Sequence, residues 1–112
     1  MANTFYNKFS SQVGTGATDI GGYAVPSDSS TTVVVVGCSV ANVTGTTVNA
    51  SVSLYDGATE YFLVKNAPVS SGSSLVVVGG DQKIVLEAGH SIRVTSSASS
   101  SLDCVMSVME IT

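Results

Sequence analysis

Ionisable side chains are scarce in this chain. Eight Asp and Glu, four Lys and Arg and one His stand among 112 residues, a charged fraction of 11%. Typical soluble domains carry roughly 25%. Few groups are therefore available for proton transfer, nucleophilic attack or metal binding, and the surface offers little electrostatic resistance to close subunit contact. The cations Lys8, Lys65, Lys83 and Arg93 are scattered, with no basic face of the kind that phosphate neutralisation requires, which argues against direct nucleic-acid binding. Tryptophan is absent, leaving Tyr23, Tyr55 and Tyr61 as a poor stacking platform for sugars. No apolar run approaches the roughly 20 residues of a membrane helix, since the densest, Val33 to Val36, stops at Gly37. The N-terminus lacks a basic segment followed by an apolar one, so no signal peptide is expected and synthesis is expected inside the cell.

The reactive residues that are present form no familiar constellation. Cys38 and Cys104 lie far apart, with no Cys-x-x-Cys pattern and no neighbouring His, which argues against zinc or redox work. Each sits in an alternating apolar run, favouring a buried core thiol. A disulfide is the alternative, confined to non-reducing surroundings. A Ser-His or Cys-His hydrolase would have to use His90, but its setting is a small turn with no nucleophile elbow nearby. Gly79-Gly80-Asp81 and Gly14-Thr15-Gly16 lack the following helix of a phosphate loop. Asp19, Asp28, Asp56 and Asp81 lack calcium-loop spacing. We assign no catalytic, cofactor-binding or metal-binding residue from the sequence. Asn42-Val43-Thr44 and Asn49-Ala50-Ser51 match glycosylation acceptors and are set aside as products of a Ser/Thr-rich composition.

What the chain has in abundance is period-two alternation. From Thr47 to Tyr55, Val48, Ala50, Val52 and Leu54 fall on one face of a strand. Asp56-Gly57 suits a type I′ turn, returning Thr59 to Val64 beside it as a hairpin. Thr32 to Asn42 is apolar on both faces at first and reads as an interior strand. Asn66 to Ser73 reads as a turn-forming segment, because Pro68 cannot donate to a ladder. Ser74 to Val78 is a short strand turned by Gly79-Gly80-Asp81. Lys83 to Glu87 and Ser91 to Thr95, joined through Ala88-Gly89-His90, are expected to pair with each other. Ser96 to Ser101 reads as a polar loop, and Leu102, Cys104, Met106 and Val108 mark a closing strand.

Short strands, turn residues and no helical periodicity predict an all-β fold, a single antiparallel β-sandwich that is jelly-roll-like or immunoglobulin-like. Strand order does not follow from sequence. Residues 31–112 are expected to form the sandwich. Residues 1–30 are expected to form an N-terminal arm and edge segment of the same domain, because Gln12 to Ser30 alternates only weakly and contains Pro26. Phe5, Tyr6 and Phe9 place aromatic area where a terminus is ordinarily polar, so they either cap their own core or form an interface with a neighbour.

The stretch from Gly72 to Val94, the closing Ser107 to Ile111, the opening Met1 to Phe5, and the segments Leu54 to Gly57 and Leu63 to Pro68 resemble small virion structural proteins of tailed bacteriophages, particularly marine and cyanobacterial ones. The pattern more often has Asp where this chain has His90, which warns against giving that position a role. The resemblance implies a non-enzymatic virion component made in the host cytoplasm and added to the particle in symmetric copies. The leading expectation is a capsid decoration or cement protein, forming a homotrimer and contacting the major capsid protein. A neck, collar, tail or fibre component is the alternative, and a glycan-binding receptor module a more distant one. No cofactor, nucleic acid or membrane is expected as a partner.

Overall fold

The computed structural model describes residues 3–27, 30–79 and 82–112. Among them nine strands and no helix occur: β1 (Asn3–Val13), β2 (Thr18–Ala24), β3 (Thr32–Asn42), β4 (Val48–Tyr55), β5 (Glu60–Val69), β6 (Ser74–Val78), β7 (Ile84–Leu86), β8 (Ser91–Ser96) and β9 (Leu102–Ile111). The alternation read in β4 and β9 is the one that folds. Val48, Ala50 and Val52 face inward from β4, as do Leu102, Cys104, Met106 and Val108 from β9.

The strands make two antiparallel sheets. The front sheet runs β1-β9-β3-β6, with β7 also pairing β3, and the back sheet runs β2-β8-β4-β5. The pairing is nested: β1 with β9, β2 with β8, β3 with β6 and β7, β4 with β5. One long hairpin with its tip at the β4–β5 turn, rolled over until β9 meets β3 and β8 meets β4, is a jelly roll. The predicted β-sandwich is thus found, in the jelly-roll form. Val33, Val35, Val40 and Met106 of the front sheet and Ile92, Val94 and Val52 of the back sheet are fully or almost fully buried between the layers. Burial of each such side chain stabilises the fold by about 1.5–3 kcal/mol.

Three local expectations are corrected. Lys83–Glu87 and Ser91–Thr95 do not pair, because β7 joins β3 in the front sheet while β8 lies between β2 and β4 in the back. The Ala88-Gly89-His90 turn, with Gly89 at φ +81°, therefore carries the chain across the sandwich. Asn66–Ser73 is not all turn. β5 continues through Pro68 to Val69, with Pro68 opposite Asn49, and a proline is tolerated because β5 is an edge strand. The β4–β5 loop is longer than a two-residue type I′ turn, since Tyr55 pairs with Glu60. Asp56 organises it, its Oδ1 accepting the N–H groups of Ala58 at 2.9 Å and Thr59 at 2.7 Å. Those two donors hold the Asp56 carboxyl below its ordinary range.

The region from Gln12 to Ser30 contributes β2, an edge strand anchored by buried Ile20 and Val25. Gly21 lets β2 pass close against β1. It adopts φ +64°, and a Cβ there would stand 3.1 Å from both the Lys8 Cβ and the Phe9 nitrogen. Its N–H donates to Ser10 Oγ at 2.8 Å.

Asn42, the first residue of an apparent glycosylation acceptor, is 2% exposed. Its Nδ2 donates to the carbonyls of Thr46 and Val69 at 2.7 and 2.8 Å, and its Oδ1 accepts the Thr44 N–H at 2.8 Å and hydroxyl at 2.7 Å. The side chain thus ties the β3–β4 turn to the end of β5.

Candidate interaction surface

The two outer faces of the sandwich differ in chemistry. On the back sheet, Asp19, Arg93, Ser53 and Phe62 form one cross-strand row. Asp19 Oδ1 receives Arg93 Nε at 3.1 Å and the Ser91 hydroxyl at 2.8 Å, and the guanidinium lies 3.6 Å from the Tyr55 ring centroid. Ser53 Oγ donates to Glu60 Oε1 at 2.8 Å, and Lys65 Nζ covers Phe62 at 4.0 Å. This face is polar and internally hydrogen-bonded.

The front sheet presents apolar rows instead. Register places Phe9, Val105, Ser39 and Val76 in one line across β1, β9, β3 and β6, and Phe5, Met109, Val34 and Val85 in another across β1, β9, β3 and β7. Between them run Asn7, Ser107 and Gly37. Phe5, Phe9, Val76, Val85 and Val105 are 70, 67, 66, 52 and 49% exposed. No ionised side chain stands in these rows. Shallow hollows mark this sheet on both sides: one of about 260 Å³ bordered by Gly37, Ser39, Val76 and Val105 and one of about 300 Å³ beside Val85, Thr32 and Glu87, with others of about 520 Å³ against Phe9 and Asp103 and about 250 Å³ against Phe5 and Asn7. Exposed apolar rows of this kind ordinarily mark an interaction site.

The three aromatics singled out in the N-terminal segment separate. Phe5 and Phe9 point outward on the front face, whereas Tyr6 shares the opposite side of β1 with Lys8, whose Nζ lies 4.9 Å from the Tyr6 ring and 4.6 Å from that of Tyr23. The Tyr23 hydroxyl donates to Glu110 Oε2 at 2.7 Å. Partial burial, that bond and the carboxylate's charge push its ionisation far above the usual tyrosine range. Residues missed in the sequence are Val34, Val76, Val85 and Val105. Valine on both faces of a strand conceals which face is outward until the strand's partners are known.

Cys38 and Cys104 are free, buried thiols on adjacent strands. Cys38 is opposite Met106 and Cys104 opposite Val40, so the two stand diagonally. Diagonal positions are about 7–8 Å apart, beyond the roughly 4.4–6.8 Å Cα spacing of a disulfide. Burial pushes their pKa values up to about 11 for Cys38 and about 12 for Cys104. His90 is held in its turn, where Nδ1 accepts the Glu87 N–H at 3.2 Å and its carbonyl accepts the Val25 N–H at 2.9 Å. Among the described residues no three His, Cys, Asp or Glu side chains converge as a metal site; Asp28 and Asp81 lie outside those residues, as do Gly80, Met1 and Ala2. Tyr55 and Tyr61 fall on opposite faces of the back sheet, since Tyr55 pairs with Ser91 and Tyr61 with Leu54, so they do not form one sugar platform.

The fold and its surface define a small jelly-roll sandwich with one apolar outer sheet. No protein-family model matches the sequence, nor does any curated protein. Solved structures do. A chain from the acidic stable capsid structure of Helicobacter pylori bacteriophage KHP30 superposes with a TM-score of 0.56 at 14% identity, covering 100% of this chain and 89% of that one. A pentameric capsid protein from metagenomic phage sequences gives 0.44 at 21% identity, covering 94% and 63%. The virus-like particle of the extra small virus of the prawn Macrobrachium rosenbergii gives 0.43 at 13% identity, covering 100% and 81%. At these identities the likeness is one of fold, shared with viral capsid chains.

Proposed function

We propose that this protein is a non-enzymatic structural component of a bacteriophage virion, made in the host cytoplasm and built into the particle in repeated copies. The observation that carries the reading is the front outer face, a sheet surface with two rows of exposed apolar side chains, on a jelly roll whose whole length follows that of a phage capsid chain. Such a surface desolvates at low cost, and its natural use is to bind protein.

Within that reading the protein decorates or cements the capsid, in threefold clusters that contact the major capsid protein. Phe5, Tyr6 and Phe9 contribute to the contacts, and residues 1–30 supply the outer, neighbour-facing part of the domain. Quantitative proteomics of purified particles tests this. Decoration requires many copies per particle at icosahedral positions in an electron-microscopy reconstruction. A handful of copies at one vertex would assign the protein to the neck or tail instead, and absence from particles would end the reading.

A further inference from the structure

The front face contains both halves of a contact. Phe9 and Phe5 project from β1 at one margin, about 13 Å apart along the strand at roughly 3.3 Å per residue. At the opposite margin, in the same two rows, lie the hollows beside Val76 and Val85. The hollow at Gly37 exists because that position has no side chain and because Ser39, Val76 and Val105 leave a gap above it. Its volume of about 260 Å³ exceeds the roughly 150 Å³ that accommodates a benzene ring elsewhere.

From this we infer that the front face binds the front face of a second copy of this chain, about a two-fold axis lying between β9 and β3 and along the strands. The inference rests on the reading of the protein as a self-assembling structural component and names the partner for its apolar face. A two-fold along the strands preserves each row and exchanges its ends, so Phe9 of one copy enters the hollow at Gly37 and Val76 of the other, and Phe5 meets Val85. Every large side chain then faces a small one.

Charge and area agree. The chain carries a net charge of −4, yet the rows of Phe9, Asn7 and Phe5 hold no ionised group, and Asp103, in the next row of the same face, accepts the Gln12 N–H at 2.9 Å. Three strands of 10 or 11 residues, with the short β6 and β7 sharing the fourth place, spaced about 4.8 Å apart at about 3.3 Å per residue, give a projected face of about 600 Å². With the relief of the side chains this approaches the roughly 800 Å² per partner of a standard interface. The two-fold contact is separate from a threefold cluster and would join one cluster to the next.

Sedimentation velocity of the full chain over a concentration series tests the pairing. Wild type is expected to reach a species whose mass is halved by Phe9→Asp, by Val76→Lys and by Gly37→Leu. Gly37→Leu fills the hollow without strain, since a Cβ there meets nothing closer than the Val78 carbonyl at 3.9 Å. An equimolar mixture of Phe9→Asp and Val76→Lys is expected to recover the wild-type mass, because a mixed pair sets carboxylate against ammonium on one side and keeps Phe9 against Val76 on the other. Each substitution should weaken association ~100-fold or more, the scale on which loss of an interface anchor is felt. Circular dichroism verifies that each variant is folded. Wild type that stays single-copy throughout, or masses unchanged by Phe9→Asp and Gly37→Leu, would overturn the pairing. Failure of the mixture to recover would overturn its reciprocal geometry. The virion assignment is decided separately, by particle proteomics, so a single-copy protein abundant in particles would leave that reading standing and give the face to a foreign capsid surface.

Discussion

Replacing Asn42 with Ala removes a side chain that makes four short hydrogen bonds inside the molecule. Each such bond contributes about 0.5–1.5 kcal/mol net, and a buried group left without its partner costs about 1–3 kcal/mol. The Val69 carbonyl lies on the buried side of the turn, so its loss falls in the costly class. The expected loss is about 4 kcal/mol, a large part of the roughly 5–15 kcal/mol that small domains possess. At about 4 °C per kcal/mol for this size, the melting temperature should drop about 15 °C. Urea titration followed by circular dichroism gives the free energy, with Asn49→Ala as a control because Asn49 is exposed. Asn42→Asp extends the test. Its carboxylate would face two carbonyls, raising the folded-state pKa, so stability should be retained below the ordinary carboxyl range and lost as pH rises through the folded value. A loss under about 1 kcal/mol for Asn42→Ala would refute the view that this side chain holds the turn to β5.

Deletion of residues 1–11 is expected to leave a folded domain by circular dichroism while abolishing assembly, because Val13, the one β1 residue in the core, is retained. An unfolded product would place β1 within the folding unit. Gly21→Val should destabilise by about 2–3 kcal/mol, combining positive-φ strain with crowding of β1, and amide exchange at Phe5 to Phe9 should accelerate more than exchange in β4. Both thiols should react with a thiol reagent at pH 8 only as fast as the chain unfolds. Since burial raises their folded-state pKa values from 9.0 to about 11 and about 12, stability is fully present below pH 9 and declines as pH rises through the folded values, measurable as an alkaline transition by circular dichroism.

How far the sequence disclosed this structure varies by element. β4 and β9 were legible because buried apolar residues recur at every second position of each, and period two then reports orientation directly. β3 was legible as interior from its run of valines, and it lies inside the sheet between β9 on one edge and β6 and β7 on the other. The partner of β8 was not, since a small Gly-containing turn looks the same whether the chain reverses within a sheet or crosses to the opposite one. Pro68 suggested a break and instead marks an edge. The sequence left Phe5, Tyr6 and Phe9 open between capping their own core and meeting a neighbour. Their division into outward Phe5 and Phe9 and inward-side Tyr6 needed the β1–β9 register. The other half of the apolar face, on β3, β6 and β7, is assembled by long-range pairing, which no local pattern encodes.

Nested pairing also dictates when the apolar face comes into being. Every row across it passes through β9, so while the ribosome is still making that strand, β1 has no neighbour and Phe9 has no line of valines beside it. Copies emerging side by side on one messenger could not pair in the proposed way through a surface that none of them yet owns. In the proposed pairing, adhesion begins only after the roll has closed, so that folding precedes assembly.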